Sequence, residues 1–194
     1  MTDAAWLRSL PSLTGDAPPL GPQAFPLDPV VLFDEWIADA VDRGVAEPHA
    51  MTLATADADG VPDARTLILK GVDARGWAFA GHRESAKGRQ LRLRPAAALN
   101  FWWQPIVRAV RVRGRVEQAT DAECAADFAA RSPAARAGVD PAAWVVWRVI
   151  PERIEFWQGR PDRDHLRVVY RRGAESWTHT AGRSESGAGE GECG

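Results

Sequence analysis

From Asp28 onward the apolar positions recur at helical spacing. Leu32, Phe33, Trp36, Ile37, Ala40 and Val41 line one face of a segment that Asp28-Pro29 opens as N-cap and first turn and Gly44 closes. This predicts one amphipathic helix. The period then changes to two. Met51–Thr55, Arg65–Lys70 and Trp77–Phe79 read as consecutive antiparallel strands, with turns at Asp59-Gly60 and near Asp73. A short basic helix from Ser85 to Arg94 stops at Pro95, and two further strands follow, Ala97–Trp103 and Val107–Glu117. The second alternates Val110, Val112 and Val116 with Arg111, Arg113 and Arg115, the signature of a half-buried strand.

Thr120-Asp-Ala-Glu123 matches a capping box and predicts a helix to about Arg131. Trp144–Ile150, Ile154–Gly159, Leu166–Arg172 and a short piece around Trp177 complete the strands. The chain is therefore expected to be mainly β (α+β), with antiparallel strands forming a small closed barrel and a few peripheral helices. Residues 1–27 carry five prolines and no periodicity, and residues 181–194 are low-complexity. The first is expected to be flexible or loosely docked and the second disordered, leaving 28–180 as the single folded domain.

Composition narrows the function classes. The 194 residues are 45% hydrophobic with a net charge of −2, so no overall field argues for nucleic acid or an anionic membrane. Residues 83–115 do hold eight arginines and one lysine against the single acid Glu84. On alternating strands these are expected to form a solvated face or to pair with acids at a dimer interface. Only two cysteines occur, Cys124 and Cys193, which excludes a disulfide framework and a cysteine-based zinc site. No apolar run approaches the ~18 residues of a membrane span. A cytoplasmic setting is the expectation. Nine tryptophans burden a small barrel, and Trp102 and Trp103, adjacent on one strand, must point to opposite faces. One of them needs cover from a second subunit or a bound ligand.

No phosphate loop of the P-loop or dinucleotide type occurs, and the four histidines show no metal-ligand spacing, so no metal site is expected. Cationic groups instead stand at strand and helix ends. Of 24 basic residues only Lys70 and Lys87 are lysines. Arg65 and Lys70 bracket a strand that is apolar on both faces, as for a strand buried within a barrel. Their odd separation sends them to opposite faces, about 17 Å apart. Ser85-Ala-Lys87-Gly-Arg89 opens a helix, where free N–H groups, a hydroxyl and a lysine suit a phosphate. If residues 155–167 are extended, Trp157, Arg163, His165 and Arg167 share one side, an aromatic plane with three groups able to hold an electron-rich ring.

Taken together and in order, Arg65-Thr-Leu-Ile-Leu-Lys70-Gly, Ser85-Ala-Lys87-Gly-Arg, Val107-Arg-Ala-Val-Arg-Val-Arg-Gly114 and Ile154-Glu-Phe-Trp-Gln-Gly159 with Arg163-Asp-His165-Leu-Arg167 resemble the pyridoxamine 5'-phosphate oxidase family, the FMN-binding split barrels. The resemblance runs from about Asp28 to Arg172. It implies a homodimer with two FMN sites at the subunit interface. Arg65, Ser85 and Lys87 would hold the FMN phosphate; the strand Arg65, Thr66, Leu67, Ile68, Leu69, Lys70 would lie along the flavin; Trp157 and Arg167 would complete the ring site. Lys70 and Arg131 would take a substrate phosphate, with Arg163 and His165 as the catalytic pair over the substrate ring. The implied reaction is hydride transfer from an aromatic substrate to flavin N5, followed by reoxidation by oxygen. The chain departs from the family pattern at Ala86, Ala109, Asp127, Ala135 and Leu166, and in a shortened stretch between Gly138 and Trp144. Those departures touch the substrate side more than the cofactor side. They open a second expectation, oxidation of a dihydro-aromatic secondary metabolite as in phenazine biosynthesis, which His82 also favours. A non-catalytic flavin-binding protein is the third.

Overall fold

The computed structural model describes residues 3–19 and 25–183. Among them the elements run α1 (Ala4–Ser9), α2 (Pro29–Asp42), β1 (Ala50–Ala56), β2 (Pro62–Ile68), β3 (Gly71–Asp73), β4 (Gly76–His82), α3 (Ala86–Leu93), β5 (Ala96–Trp103), β6 (Arg108–Gln118), α4 (Asp121–Ala130), α5 (Pro133–Arg136), β7 (Trp144–Gln158), β8 (Leu166–Arg172) and β9 (Trp177–Arg183). All strand pairings are antiparallel, in the order β2-β1-β5-β6-β7-β4-β3, with β8 on β7 and β9 on β8.

The mainly β expectation holds, but the barrel is a half-barrel rather than closed by continuous ladders. Its two ends meet only where the chain passes from β2 to β3. There the Leu69 N–H donates to His49 O at 2.9 Å and the Lys70 N–H to Ala78 O at 2.8 Å. Trp144–Ile150 and Ile154–Gly159, read from the sequence as two strands, are one strand. Pro151 does not break it because the register shifts there, between Arg113 and Gly114 of β6.

Alternate residues of β1, β5, β6 and β7, with most of β4, fill the core, and Leu53, Phe79, Phe101, Val110, Val112, Val149, Ile154 and Phe156 are fully buried. The helix expected after Asp28 is α2, capped by the Asp28 carboxylate accepting from Val30 N–H at 2.9 Å. It plugs one end of the barrel. Its Phe33 ring sits 5.1 Å from Phe101 and 5.7 Å from Trp77, and Trp36 lies 5.2 Å from Phe156.

The N-terminal segment makes specific contacts. Gln158 Nε2 donates to Pro18 O, Asp16 N–H to Pro105 O, and Tyr170 Oη to Pro26 O, at 2.7–2.8 Å. At the other end β9 continues to Arg183, so the folded unit runs past residue 180. The rest of the expected tail, 184–194, lies outside the described residues.

One expectation about position is overturned. The strand carrying Arg65, read as buried within the barrel, is β2 at the sheet edge, paired with β1 alone and with no fully buried residue. Leu67 and Leu69 pack against the core, whereas Thr66 and Ile68 are exposed. An apolar strand needs cover on two faces; here one face is supplied by the barrel and the other is left open.

Candidate functional site

The residues singled out from the sequence gather into three groups. The first is a cationic nest beside α3. Ser85 caps the helix, its Oγ accepting from Gly88 N–H at 3.3 Å, and Lys87 Nζ donates to the same Oγ at 3.2 Å. Lys87 reaches this place by crossing Gly81 of β4; a Cβ there would stand 2.5 Å from Lys87 Cε. Burial, and then the nearby Arg65 guanidinium, hold the Lys87 ammonium below the usual lysine range. Arg65 is fixed by Thr55 Oγ1 at 2.5 Å, Gln90 Oε1 at 3.1 Å and Asp63 at 2.5 Å. Two cations therefore face one another, and among the described residues no carboxylate pairs with Lys87. A half-buried lysine in that setting is stabilised by an incoming anion. A phosphate fits the donor set: two cations, a hydroxyl and a helix start.

The second group joins Lys70 and Arg131 through Asp127, already noted on the substrate side, and Trp144, which the sequence had not placed in a site. Lys70 Nζ lies 3.7 Å from Asp127 Oδ1, and Asp127 Oδ2 accepts from Trp144 Nε1 at 2.8 Å. The Arg131 guanidinium, at the C-terminus of α4, stacks 3.7 Å over the Trp144 ring.

The third group is the β7–β8 hairpin. It is not extended through 155–167, so the shared-parity argument fails. The hairpin brings the residues together instead, since Trp157 pairs with Arg167 across the ladder and its ring lies 5.0 Å from His165. His165 Nδ1 accepts from Arg160 N–H at 3.0 Å, which leaves Nε2 to carry the proton of the neutral ring. Arg163 is exposed in the turn with φ 65°, a left-handed conformation costly for a side-chain-bearing residue. In that turn Arg160 holds the Asp162 carboxylate down at about 2. Gly159 leaves room for the indole: a Cβ would stand 2.5 Å from Trp157 Cη2 and 2.6 Å from Val107 Cγ1.

Arg167 is tied back to Glu155, a buried carboxylate that also pairs with Arg111 and, at 2.5 Å, with Arg153. Burial alone would push this acid up, but the arginine hydrogen bonds outweigh it and its pKa is lowered. Trp102, 47% exposed, lies 6.1 Å from Trp157 on the outer face, while Trp103 is buried. The two tryptophans do point to opposite sides.

The cationic nest and the hairpin are not together in one chain. Lys87 lies over Gly81, which Trp147 also approaches, whereas the hairpin group is centred on Trp157, ten residues further along β7, a strand contour of roughly 30 Å. The sequence missed Thr55, Gln90, Gly81, Glu155 and Trp144. Only Gly81 carried a signal, a glycine two residues beyond the predicted strand Trp77–Phe79, which in the structure extends to His82 and brings it inside.

Comparison with known proteins identifies the family. The pyridoxamine 5'-phosphate oxidase family model matches residues 37–158, and that of the pyridoxine 5'-phosphate oxidase C-terminal dimerisation region matches 144–181. A pyridoxine/pyridoxamine 5'-phosphate oxidase of Ectopseudomonas mendocina is 44% identical, covering 78% of this chain and 86% of that protein. One from Thermosynechococcus vestitus is 40% identical, covering 77% and 86%. Among solved structures, PhzG from Burkholderia lata 383, in complex with tetrahydrophenazine-1-carboxylic acid, superposes with a TM-score of 0.80 at 27% identity, over 88% of this chain and all of that one. A pyridoxamine 5'-phosphate oxidase-related, FMN-binding protein of Nostoc punctiforme shares the fold, with a TM-score of 0.67 at 20% identity over 81% of this chain and 98% of that one. By sequence match along most of its length and by its half-barrel fold, this chain belongs to the pyridoxamine 5'-phosphate oxidase family.

Proposed function

We propose that the protein is an FMN-dependent oxidase of a small aromatic substrate, working as a homodimer in the cytoplasm. The observation that carries the reading is the nest of Arg65, Ser85 and Lys87, two cations and a hydroxyl with no carboxylate on the lysine. Lys87 and Arg65 bind the FMN phosphate, and Ser85 orients the lysine. The segment from Arg65 through Thr66, Leu67, Ile68 and Leu69 to Lys70, with Thr66 and Ile68 on its open face, then lies along the flavin. Trp157 and Arg167 complete the ring site from a second copy of the chain, since one chain holds the two halves at opposite ends of β7. That arrangement also covers Trp102.

Bound FMN supplies a hydride acceptor at N5 that oxygen restores with release of hydrogen peroxide. The chain's own residues do the positioning. His165, its Nδ1 engaged by the Arg160 N–H, presents an Nε2–H donor to the substrate ring. Arg163 projects its guanidinium from a strained turn at the same hairpin, and the Trp157 plane shields the site from water. Lys70 and Arg131 face the substrate's acidic group.

The vitamin B6 phosphates are the family's default substrates. Oxidation of a dihydro-aromatic metabolite is the second reading, favoured by Asp127 beside Lys70 and by the likeness to PhzG. The deciding experiment is the visible spectrum of the purified protein, followed by aerobic assays with pyridoxamine 5'-phosphate and with a dihydrophenazine carboxylate. Bound FMN and peroxide release with either substrate are expected. A protein that binds FMN yet turns over no reduced aromatic is a flavin carrier, and one that refuses FMN overturns the proposal.

A further inference from the structure

The group around Trp144 has a charge balance that the family resemblance alone does not disclose. Lys70 comes from the β2–β3 crossing, Asp127 and Arg131 from α4, and Trp144 from the start of β7. Asp127 cannot turn aside from Lys70, because its second oxygen is held by the Trp144 Nε1–H at 2.8 Å and its side chain is only 18% exposed. The attraction of Lys70 for an anion is therefore largely spent on Asp127. Arg131 is different. Its guanidinium is pinned 3.7 Å above the Trp144 indole, and its Nη1 is buried with no acceptor. An unpartnered guanidinium donor favours an arriving oxygen. Lys70, Asp127 and Arg131 sum to a single positive charge.

We propose that this subsite takes a substrate group of one negative charge, a carboxylate, and discriminates against a phosphate dianion. The inference rests on the reading of the chain as an FMN-dependent oxidase and names its substrate class. A carboxylate meeting the subsite leaves it neutral, and its planar oxygens match the guanidinium fork. A phosphate dianion leaves one uncompensated negative charge in a half-buried place and sets its oxygens against the fixed Asp127 carboxylate, a like-charge contact. A substrate whose acidic group is a carboxylate on or near its aromatic ring fulfils the condition.

The test is calorimetric titration of the FMN-loaded protein with two ligands: pyridoxal 5'-phosphate, and the pyridoxal analogue in which a carboxylate-bearing chain replaces the phosphate ester. The wild-type protein should bind the carboxylate at least as tightly as the phosphate. Asp127→Asn keeps the acceptor for Trp144 and removes the charge; it should strengthen the phosphate ligand about tenfold and the singly charged carboxylate only about threefold, shifting the ratio toward phosphate. Arg131→Met should weaken the carboxylate about tenfold. A wild-type preference for phosphate of about tenfold or more, or an unchanged ratio in Asp127→Asn, overturns the inference. Flavin absorbance of the same samples tests the underlying reading separately. Protein that retains no FMN refutes the oxidase, whereas a phosphate preference with FMN in place refutes only the carboxylate.

Discussion

Replacing Lys87 by methionine keeps the aliphatic stem that crosses Gly81 and removes only the charge. If Lys87 binds the FMN phosphate, one charge-assisted hydrogen bond is lost, about 1.5–3 kcal/mol, or roughly a ten- to hundredfold weaker FMN complex. Riboflavin lacks the phosphate and should bind both proteins alike. Stability should move the other way. The lysine's pKa is lowered by burial and by Arg65, so its charge destabilises the fold at any pH below that pKa, and the penalty fades as pH rises through it. The flavin-free Lys87→Met protein should therefore unfold at a higher temperature than wild type at pH 7. By the same linkage, wild-type affinity for FMN should fall as pH rises through the lowered pKa, a slope the variant lacks. Quenching of flavin fluorescence during titration, with a thermal melt of the flavin-free proteins, measures all three. Equal weakening of FMN and riboflavin would place Lys87 at the ring instead of the phosphate and refute the assignment.

Gly81→Ala puts a Cβ 2.5 Å from Lys87 Cε, so it should weaken FMN severalfold and leave riboflavin unaffected in the same titration. Glu155→Ala removes the carboxylate shared by Arg111, Arg153 and Arg167; urea unfolding should show a loss of about 2–4 kcal/mol at pH 7. Because the folded Glu155 pKa is lowered, its contribution is present above the ordinary glutamate value and disappears as pH falls through the lowered one, so the variant and wild type should converge in acid. Sedimentation of the FMN-loaded protein at micromolar concentration should show a dimer; a monomer with FMN bound would contradict a site shared between two chains.

The elements that repeat regularly were legible before any coordinates. The apolar stripe of α2, the alternation in β6 and the Thr120–Glu123 capping box all carry local physics, and each appears as read. What was not legible depends on neighbours. The run Arg65–Lys70 is apolar on both faces whether a strand is central or at an edge, and only the order of the sheet places β2 beside β1 alone. Pro151 reads as a break until the β6 register shift absorbs it. The hairpin residues Trp157, His165 and Arg167 were correctly grouped for a wrong reason, since pairing across β7 and β8 unites them and shared parity does not. Thr55 and Gln90, which hold Arg65, come from different elements and have no common spacing.

The chain's two lysines make the sharper contrast. Lys87 stands half-buried beside Arg65, with a depressed pKa and no carboxylate partner, an arrangement that costs stability unless an anion arrives. Lys70 stands beside Asp127, its charge already answered. A fold gains no stability from a half-buried cation without a carboxylate partner, so the place suits an anionic ligand. Lys70 makes no such demand. If Lys87 holds a cofactor phosphate and Lys70 faces the substrate, as proposed, the first place has an electrostatic demand for a phosphate and the second does not. This is why conversion of Asp127 to asparagine, more than any change at Lys87, is expected to alter which anionic ligand the site selects.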